Sequence, residues 1–232
     1  MNASIISTII TYTATFLVIV ISLPAHEFAH AFAAVKWGDE TPRIHGRYTL
    51  NPFAHFDIPG FIMLMVVRFG WAKPVPINPY NFRDIKKGYF WTSVAGVLTN
   101  ITLAFIAIPL YIVCFTYLPD IGIFDDFLIT FFGYFAAINI NLFVFNLIPV
   151  FPLDGFRVLE LCFKRPNAFL NFMRTKGYYV LLGLFAIHFL SSYVTLFQYV
   201  DVFGWFMEFV SGGILNGGIS LWSLILSALK II

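Results

Sequence analysis

The sequence predicts an all-α polytopic membrane protein, on three observations. Hydrophobic residues make up 59% of the 232 residues and charged residues only 11%, where a soluble domain carries about 25% charge. Apolar runs of about 20 residues recur, the length that crosses a hydrocarbon core of roughly 30 Å as a helix. The 14 Lys and Arg residues are gathered into a few connections instead of being spread along the chain. The chain has room for about five to six transmembrane helices in a single integral membrane domain over residues 1–232. A net charge of +2 is nearly balanced, and no nucleic-acid partner is expected.

Residues 5–35 form the first apolar run, interrupted by Pro24 and the stretch HEFAH. It exceeds the bilayer core, so it either tilts and kinks at Pro24 or carries its last turns out toward water. No basic region precedes it as in a signal peptide, and cleavage near Ala25 would remove most of the span, so it reads as retained. KWGDETPRIHGRYTLNPFAHFDIPG follows, rich in turn residues. The apolar patch 61–67 is too short to span and reads as a short re-entrant or β-like segment. FGWAKPVPINPYNFRD, with Pro74, Pro76 and Pro79, reads as an irregular surface loop. Spans resume at about 89–117, 127–148, 178–199 and 203–229. Cys114 and Cys162 form neither a CxxC motif nor a disulfide framework and read as small buried apolar residues.

Charge gives sidedness. Eight Lys and Arg lie between Lys36 and Lys87, five between Arg157 and Lys176, and Lys230 closes the chain. The other two connections carry Asp120, Asp125 and Asp126, then Asp201 and Glu208, with no Lys or Arg. By the positive-inside rule the basic connections are cytoplasmic. The expected path starts with the N-terminus outside and puts HEFAH and the Asp154 region on the cytoplasmic side.

His26 and His30 are i and i+4 and share one helix face. Neutral imidazoles ligate Zn²⁺, and a two-His site needs a third ligand, usually a carboxylate, plus an open position. In HExxH the glutamate, here Glu27, does not bind the metal but acts on the attacking water. Asp154, in FNLIPVFPLDGFRVLE, is the candidate third ligand. Pro149 and Pro152 end the preceding helix, and Gly155 allows a tight turn or close packing. Irregular backbone at membrane depth is tolerated only inside protein or beside water, so Asp154 is not expected to face lipid. Three ionisable groups abutting an apolar span call for a functional reason, and one zinc ion per chain provides it.

HEFAH followed by an N-x-x-P…L-D-G pattern resembles the site-2 protease family (peptidase M50) of intramembrane zinc metalloproteases, in its minimal branch without a PDZ domain. GRYTLNPFAHFDIPG, FGWAKPVPINPYNF and AGVLTN extend the resemblance over residues 10–165. It implies a catalytic core over 5–165; the apolar runs beyond it add two expected C-terminal transmembrane helices over 177–230, which carry no motif of the family. It also implies His26, His30 and Asp154 as zinc ligands, Glu27 as the catalytic glutamate, and Asn146 as a residue holding substrate or the oxyanion. Two departures bear on helix packing near the site: Ala95-Gly96-Val97 where members often read A-G-P, and Asp154-Gly155-Phe156 where they often read D-G-G or D-G-S.

The expected function is hydrolysis of peptide bonds in or near transmembrane segments, as in regulated intramembrane proteolysis. The expected partners are membrane proteins with a transmembrane helix, and membrane lipid. The expected location is a prokaryotic plasma membrane. A metal-ion carrier and a catalytically inactive scaffold or chaperone are the alternatives. The carrier needs polar residues continuing to the far face, and the outer halves of the spans are almost wholly apolar. Several further polar residues have bland readings: His55 and Asp57 as a turn with local hydrogen bonds, His45 as a surface residue, His188 as an imidazole bonded to a neighbouring helix. Asn100, Asn139 and Asn141 are amides in apolar helices, suited to interhelical hydrogen bonds. Asn100, in AGVLTN, is best placed to approach the site.

Overall fold

The computed structural model describes residues 3–67, 70–118, 122–163, 165 and 167–232; Arg68, Asp120 and Lys164 lie outside the described residues. In order come α1 (Ala3–Lys36), α2 (Thr41–Ile44), α3 (Pro52–His55), α4 (Ile58–Val67), a 3-10 turn (Pro79–Asn81), α5 (Ile85–Tyr117), α6 (Ile123–Asn146), α7 (Asp154–Cys162), α8 (Ala168–Ser191), α9 (Thr195–Gln198) and α10 (Val202–Ala228). Among the described residues, four helices are long and apolar enough to cross a membrane: Ser4–Lys36, Ile85–Tyr117, Ile123–Asn146 and Val202–Ala228.

α1 continues through Pro24 as one helix of 34 residues, about 51 Å at 1.5 Å per residue. It outruns the hydrocarbon core of roughly 30 Å, so it tilts or carries turns beyond the core. α5 is the hub, packing against α1, α6, α7 and α10. Asp84 starts it by accepting the Lys87 N–H, and Asp125 and Asp126 lie in the first turn of α6, where carboxylates meet the positive end of the helix dipole.

The direction of α10 follows from its neighbours. Met207 and Val210 pack with Ala104 of α5 and Val144 of α6. Further along, Trp222 and Leu226 pack with Ile108, Ile112 and Ala136. Advancing along α10, the numbers of its α5 neighbours rise and those of its α6 neighbours fall. α10 therefore runs with α5 and against α6. The start of α10 lies at the Asn146 end of α6, with the Phe203 ring 6.3 Å from that of Phe145.

This differs from two expected C-terminal spans over 177–230. α10 is among the four apolar helices. The helix covering the expected span 178–199 begins at Ala168 and stops at Ser191. It carries Arg174 and Lys176 in its first half, and its Met173, Val180, Leu181 and Phe185 pack on Phe145 at the end of α6 and on Ile148, Val150 and Leu153 in the turn that follows. The chain thus leaves α6 and enters α10 at the same end of the bundle. Asp201 and Glu208 sit at that end rather than the far one, and Lys230 sits at the far end.

The patch 61–67 is the second part of α4, a helix and not a strand. Among the described residues, the β-like element is instead one antiparallel bridge between Phe56 and Ala72, closed by the Lys73 N–H donating to the His55 carbonyl at 2.8 Å. Cys114 is half-buried and Cys162 exposed, both free; the expected burial fails for Cys162, which lies at the end of α7.

Candidate metal centre

α1 and α5 run antiparallel and in contact because α5 carries no side chain where they cross. A Cβ built on Gly96 would stand 2.4 Å from His30 Nε2 and 2.5 Å from His26 Cε1, so glycine alone lets the helix approach the imidazole pair. Gly155 does the same beside Asp154: a Cβ there would lie 2.2 Å from the Leu147 carbonyl oxygen. α7 is thereby seated on the turn that follows α6, and its first residue, Asp154, faces α1.

His26 Nε2 and His30 Nε2 are 3.0 Å apart, and Asp154 Oδ2 lies 3.4 Å and 3.1 Å from them. All three residues are buried. They form the group among the described residues that could hold a metal ion. The far side of each ring is committed. His30 Nδ1 lies 2.6 Å from the Thr92 carbonyl oxygen, which only accepts, so Nδ1 carries the proton. His26 Nδ1 lies 2.6 Å from Asn100 Oδ1. A neutral imidazole has one N–H, so both Nε2 atoms turn lone pairs inward.

Three lone-pair atoms buried at this spacing repel one another unless a cation lies among them. Asp154 Oδ2 has no hydrogen-bond partner, while Oδ1 faces Arg157 Nη1 at 3.8 Å. The spacing also suits zinc: a tetrahedron with bonds of about 2.05 Å has edges of about 3.3 Å. Donor chemistry, distances and the orphaned oxygen all fit a Zn²⁺ ion on His26, His30 and Asp154.

Glu27 is half-buried, and its Oε2 accepts the Val75 N–H at 3.3 Å. Val75 belongs to the proline-rich loop expected from the sequence, which is tied to the end of α1 through Asp39. That buried carboxylate accepts from Asn78 N at 2.7 Å, Asn81 Nδ2 at 2.8 Å and the Thr41 hydroxyl at 2.5 Å. Burial acts to raise the Asp39 pKa, but these hydrogen bonds outweigh it and hold the carboxyl below its usual value. Asn146 closes α6, its Nδ2 donating to the Leu142 carbonyl at 3.0 Å.

The remaining polar residues have local partners. His55 is buried, with Nε2 2.7 Å from the Thr49 carbonyl oxygen, and Asp57 accepts the Gly60 N–H. His188 Nδ1 is 2.8 Å from Asp201 Oδ2. Val75, Thr92 and Ser22 were not singled out by the sequence. Val75 and Thr92 act through backbone atoms, which carry no residue signature; Ser22, one turn before His26, was legible only by its i, i+4 spacing.

Residues 121–190 match peptidase family M50. The chain is 38% identical over 178 residues, 76% of its length and 81% of the relative's, to YwhC of Bacillus subtilis (strain 168), which carries the name of a zinc metalloprotease. The chain belongs to peptidase family M50. Rip2 of Mycobacterium tuberculosis, in strains Erdman and H37Rv and again named as a zinc metalloprotease, is 26% identical over 164 residues. That match covers 65% of this chain and 59% of the Rip2 length. No solved structure gives a significant match. This M50 chain is an integral membrane zinc metalloendopeptidase, in agreement with its four apolar helices and its buried His-His-Asp group.

Proposed function

We propose that this M50 protease cleaves peptide bonds in or near the transmembrane segments of membrane-protein substrates. The observation that carries the reading is the convergence of His26, His30 and Asp154 within 3.0–3.4 Å at one end of a cluster of apolar helices. When bound there, zinc supplies Lewis acidity toward a water nucleophile and the scissile carbonyl. His26, His30 and Asp154 hold the ion. Glu27, adjacent to His26 and steadied by Val75, takes the proton from the water and returns it to the leaving amine. The Asn146 amide supports the oxyanion by donating an N–H. A helical substrate unwinds locally before cleavage, because its carbonyls are otherwise held in i→i−4 bonds.

The site faces the cytoplasm of a prokaryotic plasma membrane in this reading, with the N-terminus outside. Support comes from charge: the segments 36–87 and 147–176, which flank the site, carry 13 of the 14 Lys and Arg. The test is cleavage of a single-span substrate in proteoliposomes by the wild-type chain and Glu27→Gln. The wild type cleaves, and Glu27→Gln keeps about one zinc per chain and does not cleave. Cleavage by Glu27→Gln at the wild-type rate overturns the role of Glu27. Zinc uptake into the vesicle lumen without cleavage favours the carrier.

A further inference from the structure

The orientation of His26 is settled three hydrogen bonds away from the metal group. Asn139 Nδ2 lies 2.8 Å from the Phe135 backbone carbonyl oxygen. A carbonyl only accepts, so the amide nitrogen must face it; the same nitrogen donates to Ser22 Oγ at 2.8 Å. Asn139 Oδ1 is therefore turned to Asn100 and accepts from Asn100 Nδ2 at 2.8 Å. That leaves Asn100 Oδ1 toward His26, at 2.6 Å from Nδ1, and obliges Nδ1 to carry the proton. Ser22, Asn100 and Asn139 are all 0% exposed, so water cannot substitute for a missing link. His30 needs no such chain, since it meets the Thr92 carbonyl directly.

We propose that Asn139, seconded by Ser22, is a positioning residue for the metal ligand His26. It locks the Asn100 amide in the one orientation that leaves the His26 Nε2 lone pair facing Asp154. With the Asn100 amide turned over, its N–H₂ would face Nδ1, and the imidazole proton would shift to Nε2, where it blocks the ion. Helices α1, α5 and α6 each contribute a link, so the ligand is set by the packing of three helices. The inference rests on the zinc reading above and extends it to a residue outside the metal group.

The test is zinc affinity of the purified full chain, by competition with a chromophoric chelator, together with the absorption spectrum after Co²⁺ substitution. Four proteins are compared: wild type, Asn139→Leu, Asn100→Asp and the double variant. A carboxylate at position 100 presents an acceptor oxygen whichever way it turns, and so no longer needs Asn139 to orient it. Asn139→Leu weakens zinc binding about 10- to 100-fold and alters the cobalt spectrum. In Asn100→Asp the second carboxylate oxygen meets Asn139 Oδ1, two acceptors with no proton between them, and Asn139→Leu removes that repulsion, so the double variant binds zinc at least as tightly as Asn100→Asp. Wild-type affinity in Asn139→Leu overturns the proposal. So does an equal loss in both backgrounds, the mark of packing alone. A wild-type chain that binds no zinc overturns the metal reading itself.

Discussion

At the residue scale, Gly96 and Val75 show how little side chain a site can require. A Cβ on Gly96 would overlap both imidazoles, at 2.4 Å and 2.5 Å, well inside van der Waals contact. Gly96→Ala is expected to lose zinc, with a residual content below about a tenth of wild type by metal analysis, while the chain still inserts in the membrane. Val75 acts through its N–H. Val75→Pro removes the donor to Glu27 Oε2 and lowers kcat about 10-fold, the order of one hydrogen bond to a charged group; zinc content stays at the wild-type level, and both are measured on one preparation. The grouping of His26, His30 and Asp154 was legible because HExxH and the Asp-Gly turn declare themselves by spacing and by standing out from apolar surroundings. The contribution of Gly96 was visible only as part of a family block. A glycine's value lies in what approaches it, which needs coordinates.

At the element scale, the informative helix is α8. The stretch 178–199, which holds its second half and α9, reads as a span because about 20 apolar residues can cross a bilayer or lie along protein, and hydropathy does not distinguish the two. What turns the chain back is polar. Asp201 caps α10 by accepting the Gly204 N–H at 2.8 Å, and it also accepts from the Ser191 hydroxyl at 2.9 Å and faces His188 Nδ1 at 2.8 Å. Burial works to raise the Asp201 pKa, but the contacts with His188, Gly204 and Ser191 outweigh it and hold it below the usual carboxylate value. A lowered folded-state pKa contributes stability that is present above the ordinary carboxylate value of about 3.9 and lost as pH falls through the folded value. Asp201→Ala is therefore expected to destabilise the protein by about 1–2 kcal/mol at pH 7. The difference from wild type shrinks below about pH 4, in thermal unfolding followed across pH in detergent. A pH-independent difference would contradict the assignment.

At the scale of the whole molecule, α1 and α6 run toward the metal group, and α5 and α10 run away from it. The charge pattern identified the end where the site lies, since 13 of the 14 Lys and Arg flank it. With the four spans Ser4–Lys36, Ile85–Tyr117, Ile123–Asn146 and Val202–Ala228, Lys230 lies at the far end of the bundle; a fifth crossing by α8 would return it to the other side. The architecture predicts that positions 165 and 230 lie on opposite faces. With Cys114 and Cys162 replaced by Ser, a membrane-impermeant thiol reagent added outside intact cells is expected to label Lys230→Cys and spare Arg165→Cys. Labelling of neither until the membrane is opened would restore the path with two C-terminal crossings.

The account as a whole depends on one ion held by residues from the first span and from the turn after the third. X-ray absorption at the zinc edge of the purified chain tests this most directly. The predicted spectrum has two imidazole nitrogens and carboxylate oxygen at about 2.0–2.1 Å, with about one zinc per chain, and Asp154→Asn loses the metal while Glu27→Gln retains it. Stoichiometric zinc with an unchanged spectrum in Asp154→Asn would contradict it.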